Sequence, residues 1–256
     1  MAAAYEKVAL ARAKGRATSV DYISNIFENF LEMHGDRRYG DDKSVIAGIG
    51  YLIEMPVTVI GIEKGHSVKE RGFRNSGSAH PEGYRKALRQ MKLAEKFSRP
   101  VVCFVDTPGA YCGIGAEERG QGQAIAENLT EMMTLKTPVI SIVIGEGGSG
   151  GALGLAVADE VWMLENSVYS VISPEGCASI LWKDSSRSKE ASECLKLTAQ
   201  DLFKLKVIEK IFPESDKVYA HLKQELYAAF TKSRQLDPQS LTAARYERFR
   251  KIGAPE

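Results

Sequence analysis

A short apolar run followed by a glycine-rich segment constrains the fold of this chain more than any other stretch. Residues 139–144 are apolar and largely β-branched, which predicts a strand buried on both faces of a sheet. Five of the seven residues from Gly145 to Gly151 are glycine, which predicts a loop, and Ala152 to Ala158 then predicts a short helix. Glycine lets a ligand approach the backbone closely, and the first N–H groups of a helix have no internal partner. The unit is therefore typical of an anion or oxyanion site.

Several known templates overlay this loop. The pattern G-x-G-x-x-G over residues 145–150, with Glu165 downstream, matches a dinucleotide fingerprint, although the following helix is too short for that role. The pattern G-x-S-x-G around Ser149 matches a nucleophile elbow, but the only histidine after it is His221, in a predicted peripheral helix. A Walker loop is excluded because the loop has no lysine. A tight turn that uses glycine only for packing also stays open.

The remaining interpretation is an oxyanion hole. In this interpretation the backbone N–H groups of Gly150 and Gly151 donate hydrogen bonds to a negative charge that develops during a reaction. We therefore predict these two glycines as the catalytic residues.

Length, charge and cysteine usage limit the function classes. The 256 residues carry 34 basic and 33 acidic side chains, so the net charge gives no argument for a nucleic acid or membrane partner. The four cysteines form no CxxC pair, which favours a reduced cytoplasmic protein over a disulfide scaffold. No signal peptide or apolar run of membrane-spanning length is found in the sequence.

We predict a single domain over residues 1–256, with an N-terminal helical arm over 4–33 and a C-terminal helical tail over 217–251 that breaks near Asp237. The arm is predicted as two helices, the second capped by Ser19. One apolar face is predicted for this second helix, formed by Ile23, Ile26, Phe27, Phe30 and Leu31.

The middle of the chain alternates between strand and helix patterns. A hairpin is predicted over residues 45–62, a helix from Pro81 to about Phe97, a strand over 101–105, and a long helix over 116–135. Residues 106–115 form a second glycine-bearing loop after a strand. Because parallel strands end at the same edge of a sheet, we expect this loop and the loop at 145–151 to face one cleft.

The C-terminal half is predicted to contain shorter elements. They are strands at 161–164, 169–172 and 207–212, a helix at 173–182 capped by Ser173, a charged connector at 183–189, and a helix capped by Thr198.

A basic segment lies between the hairpin and the Pro81 helix. It contains a single carboxylate, Glu70, and four basic residues, which are Lys64, Lys69, Arg71 and Arg74. Such local bias fits the phosphates of a nucleotide-bearing substrate, and an ordinary solvated loop fits it as well.

Two carboxylates lie in the first turn of the long predicted helix. Glu117 and Glu118 suit the positive end of the helix dipole, or they act as acid and base groups near the cleft.

Several long runs resemble the α subunits of bacterial acetyl-CoA carboxylase carboxyltransferase. The resemblance extends from about Ala4 to the C-terminus. It is carried by the runs 41–43, 81–88, 106–111, 115–121, 145–153 and 169–183.

This resemblance implies a crotonase-like α/β fold, a spiral of ββα units with flanking helices. It implies transfer of a carboxyl group from carboxybiotin, held on a separate biotin carboxyl carrier protein, to acetyl-CoA. The product would be malonyl-CoA, in the first committed step of fatty acid biosynthesis. The resemblance also implies an α2β2 assembly with the site between α and β subunits, a zinc ion on the β subunit and no metal on this chain. ATP would be used by a separate biotin carboxylase.

On the matching residues, the oxyanion amides fall on Gly150 and Gly151, and Cys112 stands where proline is frequent. We predict further substrate contacts at Gly147, Gly148, Gly109 and Ala110, together with the four basic residues named above.

Two other function classes stay open. A self-contained crotonase-type acyl-CoA hydratase or isomerase would use Glu117 or Glu118 and need no partner. An inactive assembly subunit would bind its partner without supplying hydrogen-bond donors.

Overall fold

The computed structural model describes residues 3–254, which form one mixed sheet with helices on both faces. The outermost residues of the predicted domain, at 1–2 and 255–256, lie outside this range. The strands in the described range are β1 (Glu28–Glu32), β2 (Val45–Leu52), β3 (Met55–Ile62), β4 (Val101–Thr107), β5 (Val139–Gly148), β6 (Glu160–Leu164), β7 (Val168–Ser170) and β8 (Lys210–Phe212).

The sheet has the order β1-β2-β3-β4-β5-β6-β8, with β7 paired to the end of β5. Strands β1 to β3 are antiparallel, which confirms the predicted hairpin, and β3, β4, β5, β6 and β8 are parallel. The carboxyl ends of β4 and β5 therefore lie at one edge.

Helices occupy both faces. Those of the described residues are α1 (Ala4–Ala11), α2 (Ser19–Ile26), α3 (Val68–Phe73), α4 (Pro81–Lys96), α5 (Ile114–Glu118), α6 (Gln121–Thr134), α7 (Ser149–Leu153), α8 (Pro174–Trp182), α9 (Ser188–Leu195), α10 (Ala199–Lys204), α11 (Val218–Ser233) and α12 (Pro238–Lys251). Short 3₁₀ turns lie at Asn75–Gly77 and Ser185–Arg187.

Each face of the sheet has its own apolar core. On one face Tyr84 and Met91 of α4 pack with Met132 of α6 against the strands. On the other face Ile23 of α2 and Phe230 of α11 pack against the same strands. Because the parallel strands are covered on both sides, their sequences read as continuous apolar runs.

The predicted N-terminal arm is helical only in part. The second helix ends at Ile26, and residues 28–32 form β1, so the single apolar helical face predicted through Leu31 is wrong. Two glycines of β2 explain the strand: a Cβ at Gly50 would lie 3.3 Å from Phe27 Cβ, and one at Gly48 would overlap Leu31 O. Because Gly48 and Gly50 have no side chain, β1 can pair closely with β2. This tertiary contact overrides the local helical periodicity.

Local details differ elsewhere too. The N-cap of α2 is Thr18 rather than Ser19, whose Oγ donates to Ile62 O at 2.7 Å. The long helix predicted at 116–135 is two helices, α5 and α6, because Gly120 takes a left-handed φ of 80° between them. The predicted connector at 183–189 contains a 3₁₀ turn and the start of α9, and the last strand is shorter than predicted.

Other predicted caps and helices are confirmed. Ser173 and Thr198 cap α8 and α10 through their side chains. Helix α4 runs from Pro81 to Lys96, and α11 and α12 are separated at Asp237, which caps α12.

One buried arginine attaches α12 to the core. The guanidinium of Arg245 is 1% exposed and pairs with Asp159 at 2.9 Å. It also donates to Met132 O at 2.6 Å, Leu135 O at 2.8 Å and Thr137 O at 3.0 Å, which satisfies carbonyls at the turn between α6 and β5.

Candidate active site

The glycine-rich segment is mostly strand. Residues 145–148 continue β5 and pair with both β4 and β7, so the loop predicted there is wrong for these four residues. A Cβ at Gly148 would overlap the Pro108 carbonyl. The chain can continue as a strand because the loop after β4 lies directly on bare backbone.

The short helix predicted at residues 152–158 begins earlier, within the glycine-rich segment, and is shorter than predicted. Helix α7 starts at Ser149, which has a left-handed φ of 50°, and ends at Leu153. Gly150 and Gly151 are its second and third residues, among the positions whose N–H groups have no intrahelical acceptor. A positive φ at a non-glycine residue stores backbone strain, and such strain is concentrated at functional sites.

The two predicted loops meet, as expected from the parallel strands. A Cβ at Gly151 would lie 2.5 Å from Ala110 N and 2.8 Å from the Gly109 carbonyl carbon. The loop after β4 is stabilised locally, because the Gly109 N–H donates to Thr107 Oγ1 at 3.0 Å. Gly109 and Ala110 thus pack directly against the start of α7.

An apolar cavity of about 440 Å³ opens beside the start of α7. Ser149 and Gly150 line it, whereas Gly151 is buried behind them. A Cβ at Gly150 would meet nothing closer than Ile125 Cγ2 at 3.8 Å, so this position is open. The other lining residues are Leu153, Ala156, Val161, Tyr169, Ser170, Val171, Leu195, Leu202, Val207, Arg248, Phe249 and Ile252. We call this space the apolar cavity.

Two fully buried side chains support α7 from behind. Tyr84 Oη donates to Gly151 O at 3.2 Å, and Asn128 Nδ2 donates to Gly154 O at 3.0 Å. Burial raises the pKa of Tyr84, so its hydroxyl stays a donor. The local sequence pattern does not predict this role of Tyr84, because the glycine carbonyl that it reaches lies 67 residues further along the chain.

Gly147 and Gly148 lie within the β5 ladder rather than in a free loop. Gly147 pairs with Thr107 on one side and Tyr169 on the other, and a Cβ there would lie 2.8 Å from the Tyr169 ring. Their contact with a substrate stays a prediction.

A second, polar cavity of about 190 Å³ lies where β4 and β5 end, and Lys64 and Arg71 both line it. Lys64 Nζ lies 2.7 Å from Asp106 Oδ1 and 2.7 Å from Glu146 Oε2. Burial lowers the pKa of Lys64, but the two carboxylates outweigh burial and raise it. The positive charge of Lys64 is therefore balanced inside the protein.

The four predicted basic contacts do not form one group. Lys69 is exposed on α3, and Arg74 donates to Lys43 O at 2.6 Å. Arg71 Nε donates to Gly65 O at 3.3 Å. Of the four, Lys64 and Arg71 line the polar cavity, and the assignment of all four to substrate phosphates stays a prediction.

Glu117 and Glu118 are exposed on α5 and line neither cavity. No lining residue of the apolar cavity carries a carboxylate. Within residues 3–254, no cluster of three or more His, Cys, Asp or Glu side chains could hold a metal ion, and none of the helices is long and apolar enough to span a membrane.

Comparison with protein families identifies the chain. Residues 2–253 match the model of the family described as acetyl co-enzyme A carboxylase carboxyltransferase-like. The chain belongs to this acetyl-CoA carboxylase carboxyltransferase family. The resemblance predicted from the glycine loop and its neighbouring runs is therefore confirmed.

Relatives within this carboxyltransferase family cover nearly the whole chain. The acetyl-coenzyme A carboxylase carboxyl transferase subunit alpha of Ruminiclostridium cellulolyticum is 65% identical over 98% of both chains. The subunit alpha of Clostridium perfringens is 58% identical over 97% of this chain and 95% of the relative. A protein of Natranaerobius thermophilus named subunits beta/alpha is 56% identical over 97% of this chain, which spans 42% of that longer relative.

Solved structures share the fold. The transcarboxylase 12S core has a TM-score of 0.69 at 19% identity, over 86% of this chain and 43% of that one. A Pseudomonas malonate decarboxylase hetero-tetramer chain, solved in complex with coenzyme A, has a TM-score of 0.68 at 16% identity, over 93% of this chain and 100% of that one. The predicted crotonase-like α/β fold is confirmed.

Proposed function

We propose that this chain is the α subunit of the carboxyltransferase component of acetyl-CoA carboxylase, a biotin-dependent enzyme that carboxylates acetyl-CoA to malonyl-CoA. The family match and the naming of close relatives support this activity over a crotonase-type hydratase. The structure adds that neither Glu117 nor Glu118 faces the cavity where a hydratase would need its acid or base.

The observation that carries the mechanism is the open position of Gly150. Its amide belongs to the first turn of α7, and its Cα faces the apolar cavity without a covering side chain. We assign the N–H groups of Gly150 and Gly151 the role of hydrogen-bond donors to an oxygen that becomes negative during transfer. Preorganised donors of this kind stabilise charge without reorganisation, and loss of one costs about 10²–10³ in rate.

The apolar cavity fits a biotin ring and its aliphatic chain. Its volume, about 440 Å³, lies in the range of small-molecule sites, and its lining is mostly apolar with backbone amides at one end. When bound, biotin supplies the carboxyl group and a nitrogen able to accept the acetyl proton, so no carboxylate base is required of this chain. Leu153 and Tyr169 would pack on the ring, and Gly150 would face its ureido oxygen.

Assembly with a β subunit completes the proposal. Relatives named beta/alpha combine both parts in one polypeptide, which supports a β-subunit partner. We propose an α2β2 heterotetramer in which the β subunit supplies a second oxyanion site for the thioester and carries the zinc ion. The biotin carboxyl carrier protein and an ATP-using biotin carboxylase complete the enzyme, which we place in the cytoplasm.

A substitution at Gly150 tests the mechanism better than one at Gly151. Any side chain at Gly151 would strike the Ala110 backbone and disturb packing, whereas a Cβ at Gly150, which lines the cavity, would meet nothing closer than 3.8 Å. We expect Gly150→Val to lower malonyl-CoA-dependent carboxylation of biotin at least ~10²-fold in the α–β complex. Gly122→Val is the matched control, because a Cβ at this exposed glycine of α6 would meet nothing within 4 Å.

Size-exclusion chromatography of each variant with the β subunit checks assembly, and the isolated chain should show no turnover. Full activity of an assembled Gly150→Val complex would remove this glycine from the mechanism. Turnover by the isolated chain would instead favour a self-contained enzyme.

A further inference from the structure

A basic groove lies away from both cavities, between α4 and the loop that follows β1. It has a volume of about 550 Å³, and six of its lining side chains are basic whereas two are acidic. This ratio is unlike the near-neutral charge of the whole chain. The lining residues are Asp36, Arg37, Arg38, Arg85, Leu88, Arg89, Lys92, Leu93, Lys96 and Glu127.

The loop that forms one wall of this groove is held rigidly from inside. Asp36 is buried, and its Oδ1 accepts the backbone N–H groups of Arg38, Tyr39 and Gly40 at 2.8–2.9 Å. Its Oδ2 accepts Arg85 Nε at 2.7 Å. The charges of Asp36 and Arg85 therefore balance each other, and the loop presents its remaining side chains in a fixed place.

Two guanidinium groups in the groove are anchored to neutral atoms. Arg37 donates to His34 O at 2.9 Å. Arg89 donates to the same carbonyl at 3.1 Å, to Gly35 O at 3.0 Å, and through Nη2 and Nη1 to the amide oxygen of Gln90 at 2.9 and 3.1 Å. Neither forms an ion pair within the described part of the chain, and burial together with the nearby charge of Arg37 lowers the pKa of Arg89. Two like charges held together this way leave a local excess of positive charge.

A third uncompensated cation lies further along α4. Lys96 is exposed and contacts only the Phe97 ring, at 5.7 Å, among the interactions of the described residues. It follows Arg89 by seven residues, so both lie on one face of the helix about 10 Å apart along its axis. Lys92, between them, is already paired with Glu95 and Glu131 at 3.0 Å.

This arrangement defines the ligand. The Arg37 guanidinium uses one N–H internally and offers its remaining planar donors to phosphate oxygens, Arg89 adds its charge, and Lys96 adds a separate point charge. Leu88 and Leu93 provide an apolar floor between the two ends. We propose that the groove binds a small molecule with phosphate groups at both ends, one held by Arg37 and Arg89 and the other by Lys96. This site does not depend on the carboxyl transfer proposed above.

Calorimetric titration of the purified chain tests the site at fixed ionic strength. The probes are fructose 1,6-bisphosphate, fructose 6-phosphate and the dicarboxylate adipate. We expect the bisphosphate to bind at least ~10-fold more tightly than the monophosphate, because loss of one charge-assisted contact has about this effect. Adipate should bind more weakly than both phosphates.

Variants assign the two ends. Lys96→Gln should remove the preference for two phosphates. The double variant Arg37→Gln, Arg89→Gln should weaken the binding of both sugar phosphates at least ~10-fold. Lys232→Gln with Arg234→Gln removes the same charge from the exposed end of α11 and should change neither affinity. If circular dichroism shows that the Arg89 variant is unfolded, Arg37→Gln alone replaces it, because Arg37 is exposed.

Several outcomes would overturn the proposal. Adipate could bind as tightly as the bisphosphate, or the control variant could weaken binding as much as the groove variants do. The bisphosphate could also fail to bind at roughly 1 mM ligand, about the weakest affinity of interest. Tighter binding of poly-glutamate or of single-stranded DNA than of the bisphosphate would also contradict it, since the groove would then serve a macromolecular partner.

Discussion

Two groups of basic side chains in this protein have opposite electrostatic settings. In the polar cavity, the partly buried Lys64 lies between Asp106 and Glu146, so its charge is matched within 3 Å. In the basic groove, Arg37 and Arg89 are held by backbone carbonyls and their charge is unmatched. A basic sequence segment therefore does not by itself indicate a binding site. What matters is whether the fold supplies carboxylates to those cations.

The largest expected effect concerns Lys64, whose charge is matched by carboxylates. We expect Lys64→Met to lower the free energy of unfolding by about 3–5 kcal/mol, because it leaves the buried carboxylate of Asp106 without its cation, whereas Glu146 keeps its pair with Arg12. Chemical denaturation at neutral pH measures the change. Lys69→Met, at an exposed position of the same segment, should stay within about 0.5 kcal/mol of the parent. If both variants were equally stable, the ion pair would have no structural role.

A smaller effect is expected where the groove loop is held. Asp36→Asn removes a carboxylate that accepts three backbone N–H groups and Arg85, so stability should fall by about 1–3 kcal/mol at pH 7. Burial alone would raise the pKa of Asp36, but these donors outweigh it and lower the pKa to about 2.

The sign of the pH dependence follows from that lowered pKa. The carboxylate of Asp36 stabilises the fold fully above its unfolded pKa of about 4, and the contribution is lost as the pH falls toward about 2. Urea denaturation of parent and variant between pH 7 and pH 3 should show their difference shrinking below about pH 4. Asp216→Asn, at an exposed carboxylate, serves as control. A difference that grows on acidification would contradict the assignment.

The smallest expected effect concerns the unmatched charges. Arg37→Gln relieves repulsion with Arg89, and salt screens that repulsion. At about 10 mM and about 1 M NaCl the Debye lengths are about 30 and 3 Å. The free energy of unfolding of the variant, relative to the parent, should therefore be about 0.2–0.5 kcal/mol higher at the lower salt concentration. Denaturation curves at both salt concentrations provide the value, and a difference independent of salt would mean that the two guanidinium groups are not coupled.

The sequence predicted the structure best where local pattern and burial agree. The apolar runs at 101–105 and 139–144 are central parallel strands, and Pro81, Ser173 and Thr198 mark helix starts. These signals depend on residues close together in the chain, which is why they can be read without a structure.

Other features depend on distant contacts. The glycines predict a loop at residues 145–148 because glycine disfavours strands, yet the backbone of Pro108 lies against Gly148 and needs that bare surface. The basic groove was missed because it brings together Arg37 and Arg89 from separate elements. The cationic segment from Lys64 was visible in sequence, whereas the carboxylates that neutralise it come from β4 and β5.

The position of Arg245 near the C-terminus has a consequence for biosynthesis. Arg245 supplies a buried donor to the carbonyls of Leu135 and Thr137 from about a hundred positions later in the chain, and it gives Met132 O a second donor beside the Leu135 N–H. While the nascent chain emerges from the ribosome, the corner between α6 and β5 must therefore keep its carbonyls hydrated. Closure of that corner therefore waits until α12 has left the exit tunnel and Arg245 can displace the water.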